Sequence, residues 1–347
     1  MYRKILALVI CLLMVAFAGC KTKKEVNSEP SEVEVPKEPE IIYYTNNLTG
    51  EETLTDKEVV NYRPVAIMVN NAWEGSRNDA QLVQTGLNKA DIVYETEVEG
   101  GITRLMAVYK DISKVDMVGT IRSARYAYID LAMGHNAFYL HHGLDQTYAK
   151  PHLKDTQTFV VGENNAGVRK KNGMASEHTL YGYGDKIWKQ LNKRYDTTLK
   201  NTANWQNFAD KDTVVSYPES VANTITVKFS SKYRSVFKYD AESGKYVRYF
   251  RDILRKDYFT SETESFKNIF VLETSITNYP DNKHRRVELT KGKGYYCVNG
   301  TYTPIKWAKG SASNGFKFTL EDGTPLEVNQ GNSWVCIHGK QFDPTFE

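Results

Sequence analysis

Between residues 64 and 109 the chain carries three short strand-like stretches without helical period, the first of them wholly apolar, and few folds can house them. Pro64-Val65-Ala66-Ile67-Met68-Val69 is apolar without a break until Asn70-Asn71 stop it; Ala90 to Val98 is the second run and Arg104 to Tyr109 the third. Runs of this length between turn residues read as strands, and an unbroken one reads as a strand covered on both faces. Further strands are expected at Ala137 to Leu140 and Thr158 to Val161. Between and after them come helices: Ala124 to Met133, capped by Ser123 and closed by Gly134, a short Gln146 to Leu153 interrupted by Pro151, and Lys186 to Tyr195, capped by Asp185. That alternation predicts an α/β or α+β domain over residues 41–210.

From about Val221 the texture changes to short alternating strands. Thr224 to Phe229, Ser235 to Tyr239, Lys245 to Phe250, Phe266 to Leu272, Val287 to Thr290, Gly294 to Val298, Phe316 to Leu320 and Trp334 to Ile337 read as strands. Ser243-Gly244, Asn299-Gly300 and Asp322-Gly323 are hairpin signals. Residues 221–347 are therefore expected to form an all-β domain. Trp307 and Trp334 read either as core or as a platform on which a glycan stacks.

The N-terminus carries an address. Arg3 and Lys4 precede a short apolar core, Ile5 to Ala18, which is too short for a comfortable membrane span. It ends Phe17-Ala18-Gly19-Cys20, which resembles a bacterial lipobox with Phe17 in place of the usual leucine. In that reading residues 1–19 are a lipoprotein signal peptide, and Cys20 takes the diacylglyceryl group and becomes the new N-terminus. Residues 20–40, rich in Lys, Glu, Pro and Ser, bury too little to offset ordering entropy and form a disordered tether. The body is thus expected on the extracytoplasmic face of the cell membrane, lipid-anchored and palmitate-bearing.

Formal net charge is +3, and loss of a leader holding two basic residues and no acid lowers it to +1. That balance gives no bulk electrostatic case for a nucleic-acid partner. Beyond the leader and Cys20, the cysteines are Cys297 and Cys336, which fit either a disulfide or two independently buried thiols.

The densest polar stretch lies among the first strands. If Gly100-Gly101 makes a two-residue hairpin turn, Glu97 faces Arg104, Glu95 faces Met106, and Glu95, Glu97 and Glu99 share one face. Such acids are solvated, paired with arginine, or gathered round a cation; no recognised ligand spacing supports a metal, and no cofactor is expected. Arg122, Ser123 and Arg125 flank a helix start, where fixed positive charge and free N–H groups favour an anion. That anion is either a ligand or one of the glutamates. Arg104, Arg122, Ser123 and Arg125 are the candidate ligand contacts; Glu95, Glu99 and His178 are the candidate acid–base groups. His141 and His142 are adjacent on a strand and point to opposite faces. No nucleophile elbow, HExxH, Walker or Rossmann pattern appears.

Several blocks in order carry a resemblance. Leu48-Thr49-Gly50, Arg63 to Asn71, Gly86 to Glu95, Val98 to Arg104 and Ile121 to Arg125 resemble the signature blocks of the YerB-like lipoprotein family, DUF3048. Lys291 to Tyr296, Pro304 to Trp307, Glu321 to Leu326 and Gly331 to Trp334 extend the likeness into its C-terminal companion domain. The resemblance implies a surface lipoprotein with no established activity. Val83-Gln84-Thr85-Gly86 stands where the family has a Pro-Gln-Ser-Gly-type block, and Glu177-His178-Thr179-Leu180-Tyr181 where it tends to Pro-His-Asn-Leu-Tyr. A site completed by that second loop would have altered chemistry here. The expectation is an envelope lipoprotein, a non-catalytic binding or scaffold protein for a wall-derived ligand or a protein partner. The rival is an envelope hydrolase or transferase acting on a glycan or phosphate-bearing polymer through the Glu/Arg site.

Overall fold

In this computed structural model the described residues are 44–53, 61–199, 204–218 and 220–347. The leader, Cys20 and the tether lie outside them. The three strand-like stretches become β1 (Val65–Asn70), β2 (Ile92–Glu97) and β3 (Thr103–Tyr109), followed by α1 (Tyr126–Gly134), β4 (Phe138–His141), α2 (Ala149–His152), β5 (Thr158–Val160) and α3 (Gly184–Arg194). The second region supplies β6 (Thr224–Lys228), β7 (Arg234–Asp240), β8 (Lys245–Phe250), β9 (Asn268–Thr274), β10 (Lys291–Val298), β11 (Thr301–Ala308), β12 (Lys317–Thr319) and β13 (Ser333–Gly339). Among the described residues no helix follows Arg194. The fold class is an α+β N-terminal region followed by an all-β C-terminal one.

The two regions share a ten-stranded sheet in the order β12-β11-β10-β9-β13-β2-β3-β1-β4-β5. β13 lies parallel to both β9 and β2, pairing Trp334 with Ile269 on one side and Val93 on the other. Alternation sends Ile67, Val93 and Leu105 to one face, against α3 and a second sheet built on β6, β7 and β8. It sends Met68, Tyr94 and Met106 to the other, against α1 and the aromatic cluster of Trp205, Trp307, Phe316 and Phe318. That two-sided burial is what the unbroken apolar run at residues 64–69 requires.

Three local expectations change. Helix α1 begins two residues later than expected, with Arg125 rather than Ser123 at the cap position and no side-chain capping bond. Asp185 sits inside the first turn of α3, and Tyr183 precedes it. Strand β11 has no counterpart in the sequence reading because Pro304 interrupts its pattern. The strand tolerates that proline because β12 covers its outer edge only at Lys306–Ala308, leaving the outer side at Pro304 without a partner strand. Asn299-Gly300 does form the tight turn between β10 and β11, with both residues at positive φ. Cys297 and Cys336 are buried free thiols on β10 and β13, with β9 between them. Trp307 and Trp334 are core: their indole N–H groups donate to Lys293 O at 2.9 Å and to Glu95 Oε2 at 3.1 Å.

A buried polar layer joins the two sheets. Arg248 on β8, wholly inaccessible to solvent, donates to Glu264 (2.8 Å), Gln84 (3.1 Å), Asn71 (3.0 Å) and Gln81 (3.3 Å). Its guanidinium also lies 4.6 Å from the centre of the Trp334 ring. Replacing Arg248 by Met leaves the buried carboxylate of Glu264 without its ion-pair partner. Loss of about 3–5 kcal/mol is expected in urea unfolding, the scale for breaking one side of a buried pair. A loss below about 1 kcal/mol would show that the layer does not hold the sheets together.

Candidate functional site

The stretch from β2 to α1 does gather charge, though not in the expected register. Both Gly100 and Gly101 adopt positive φ, but the reversal uses three residues, Glu99-Gly100-Gly101, closed by Val98 N–H donating to Ile102 O at 2.8 Å. Pairing therefore slips by one: Glu97 faces Thr103, Thr96 faces Arg104 and Glu95 faces Leu105. The slip puts Arg104 across from Thr96, and Glu97 finds its partner elsewhere, in Arg285 at 2.9 Å.

The three glutamates go to three places. Glu95 is fully buried, accepting from Asn71 (3.0 Å), Thr103 (2.7 Å), Ser235 (2.9 Å) and Trp334 (3.1 Å). Burial raises its pKa, against the opposing charge of Arg248 and these donors. This acid is sealed between the sheets. Glu97 is held by Arg285, and burial raises its pKa too, with Arg285 opposing. Glu99 takes both of its short contacts from Arg125 Nε, at 2.6 and 2.9 Å. Burial alone would raise the Glu99 pKa, but the Arg125 hydrogen bond and charge, aided by Arg104, hold it below the usual range.

The arginines form the most charged part of the site. Arg104 is 5% exposed. It gives one hydrogen bond, from Nη1 to Ser123 O at 3.0 Å, and its buried Nε has no partner among the described residues. Burial, then repulsion from Arg125 and Arg122, pushes its pKa down to about 9. Arg122 donates weakly to Glu177 O at 3.4 Å, and its Nε is likewise buried without a partner. Ser123 contributes its carbonyl to Arg104, and its hydroxyl lies against Gly143, where a Cβ would meet it at 2.8 Å.

His178 is buried on a one-turn 3-10 segment and linked to β1 through Asn70 Nδ2 at 2.5 Å, with its Nε2 3.3 Å from Asn78 Oδ1. That pattern fits a neutral ring accepting at Nδ1 and donating at Nε2. Burial and the charges of Arg122 and Arg104 lower its pKa. His141 and His142 turn to different backbone carbonyls, Gly143 O and Val161 O, each at 2.7 Å. The variant block Val83-Gln84-Thr85-Gly86 is structural: Gln84 Nε2 donates to Asn70 O at 2.6 Å, and Thr85 Oγ1 to Asp257 at 2.8 Å.

The site includes residues that local sequence patterns do not mark. A hairpin at residues 276–287 brings His284 and Arg285 beside β2. His284 Nε2 lies 3.3 Å from Asp145 and 3.6 Å from Glu99. These groups, with Arg125, Tyr126, Tyr148 and Tyr279, line a pocket of about 20 Å³. That is room for about one water. Among the described residues no His/Cys/Asp/Glu group could hold a metal ion.

Two family models cover this frame, the DUF3048 N-terminal domain at residues 48–199 and the DUF3048 C-terminal domain at residues 225–335, both described as of unknown function. The chain belongs to the DUF3048 family. It is 25% identical to YerB, a candidate lipoprotein of Bacillus subtilis (strain 168), over 94% of this chain and 93% of that protein. The crystal structure of Bacillus subtilis YerB superposes with a TM-score of 0.72 at 25% identity, covering 85% of this chain and 96% of that one. The N-terminal family model spans the arginines that surround Ser123.

Because Arg125 holds the Glu99 carboxyl below its ordinary 4.5, that carboxylate stabilises the fold above the unfolded value, and the contribution fades as pH falls through the depressed range. Glu99→Gln is therefore expected to cost about 1–2 kcal/mol at neutral pH. The gap from the wild type should shrink progressively below pH 4.5. Urea titrations of both proteins across that range check it; a pH-independent gap would remove the ion pair as the cause.

Proposed function

We propose that this is an extracytoplasmic, lipid-anchored binding protein whose arginine cluster takes an anionic group, phosphate or carboxylate, on an envelope-derived ligand. One observation carries the reading. Arg104, Arg122 and Arg125 lie close enough for their charges to oppose one another, Glu99 is bound to Arg125, and Arg104 keeps a buried Nε without a partner. Buried polar groups are normally satisfied, and a guanidinium is a fork suited to oxyanions, so an incoming anion would both pair the donor and relieve the repulsion. The leader ending in Cys20 and the likeness to YerB, itself named as a candidate lipoprotein, support the anchor. No helix among the described residues is long and apolar enough to cross a membrane.

The enzyme reading has weaker support. Glu95 is sealed between the sheets, Glu99 is committed to Arg125, and the pocket beside it admits about one water rather than a polymer.

Thermal shift and calorimetry with inorganic phosphate and with acetate test the anion site. Saturable binding heat is expected in the wild type, with stabilisation growing as the logarithm of ligand concentration. Arg122→Gln, and separately Arg104→Met, should abolish it. A response no greater than that to chloride at equal ionic strength would sink the proposal. For the anchor, labelling of cells with an alkyne-tagged fatty acid should mark the wild type and leave Cys20→Ser unmarked, with the variant released from the membrane fraction. Equal labelling of both would refute lipidation at Cys20.

A further inference from the structure

Adjoining the one-water pocket, and sharing Tyr126, Tyr148, Tyr279 and Val287 with it, is a cleft of about 370 Å³. That volume falls in the range of small-molecule sites, about 300–1,000 Å³. The three tyrosines are held firmly. Tyr148 and Tyr279 stack with ring centres 3.9 Å apart and planes 17° from parallel, and Tyr126 meets Tyr279 edge-on at 6.3 Å. Tyr126 is stacked on His152 at 4.2 Å, and His152 is clamped between Asp130 (2.5 Å) and Asp155 (3.0 Å). Asp145 fixes the backbone of Tyr148 by accepting its N–H at 3.0 Å. Tyr279 N–H donates to His284 O at 2.9 Å, which fixes the end of the hairpin.

Polar groups surround this aromatic wall. None of the three phenol hydroxyls has a hydrogen-bond partner among the described residues, and Tyr126 is 36% exposed. Asp130 and Arg286 line the cleft, as does Lys309, which is 4% exposed. The Lys309 ammonium has three donors and gives two hydrogen bonds, to the carbonyls of Ser311 and Ala312. Among the described residues one donor is therefore unused, on a side chain that is almost wholly buried and borders the cavity.

The geometry points to a saccharide-binding site in this cleft, with the tyrosine wall taking the C–H face of a pyranose and Asp130, Arg286 and Lys309 bonding its hydroxyls. A sugar ring matches that lining because it is apolar on its faces and carries donors and acceptors round its rim. Aromatic side chains with an apolar body and a polar tip suit such a ligand. Pre-stacked rings lose little freedom on binding, which favours a rigid platform over a mobile one. The inference does not require the arginine cluster to bind anything, although Arg125 borders the pocket that adjoins the cleft.

Calorimetric titration of the full chain in detergent with chitotetraose, cellotetraose and maltotetraose tests it. Saturable binding of at least one is expected, weakened about tenfold or more by Tyr126→Ala and by Tyr279→Ala, the scale of losing an aromatic contact. Lys309→Met should weaken it as well, whereas Arg122→Gln should leave it unchanged. Tyr126→Leu, which keeps bulk at an exposed position, guards against misfolding, and melting temperatures are compared throughout. Failure of all three probes to bind, or alanine variants that bind as well as the wild type, would overturn the proposal. An equal loss in Arg122→Gln would also overturn it, by moving the sugar to the arginine cluster. Sugar binding without phosphate binding would sink the anion reading alone.

Discussion

The arrangement of the two sheets depends on one buried cation. Arg248 has no contact with water, and a guanidinium taken out of solvent costs several kcal/mol unless it is fully engaged. Here Glu264 supplies the opposite charge, Asn71, Gln81 and Gln84 supply neutral acceptors and Trp334 a ring face, and Nε alone has no partner among the described residues. The donors come from the C-terminal sheet and the neutral acceptors from the N-terminal region, so the layer is complete only when the two are seated together. A one-residue shift of either element would leave a buried charge without its partners. Such a layer adds specificity more than stability, because apolar packing elsewhere contributes most of the burial energy. Glu95 belongs to the same layer, which explains why an acid that looked free in the sequence is bound by four side chains.

Much of the frame was legible because it is governed by period and turn chemistry. The runs at residues 65–70, 92–97 and 103–109, α3 and the Asn299-Gly300 hairpin all follow from patterns local to themselves. What failed was register and interruption. Two glycines in a row looked like a two-residue turn, yet both take positive φ inside a three-residue one, and one residue of slip replaces Arg104 by Thr103 opposite Glu97. Pro304 concealed a full strand because a sequence pattern does not show which edge of that strand lacks a neighbour.

The site was legible only in its local half. Arg104, Arg122 and Arg125 stand close in sequence and do come together, and Glu99 does meet Arg125. Their other neighbours come from distant segments: His178 reaches Asn70 across the fold, and His284, Arg285 and Tyr279 arrive on a hairpin of the second region. No spacing rule announces such contacts. The aromatic residues show the same limit. The tryptophans that read either as core or as a binding platform are core, while the tyrosines that line a cleft lie in three unrelated stretches.

The position of β13 has a bearing on how the protein must be made. This strand is the last of the sheet in chain order, yet it sits in the sheet's interior, parallel to β9 and β2. Until it arrives, β2 presents a long row of unpaired backbone groups, bordered by apolar side chains, and β9 lacks one neighbour. Parallel pairing between segments so far apart is slow to form because long loops must close first. As the chain emerges N-terminus first, the N-terminal region therefore waits with an open, adhesive edge until β13 follows. A chain cut short before Ser333 would lack the strand that joins its halves and would expose that edge to any neighbour able to add a strand to it.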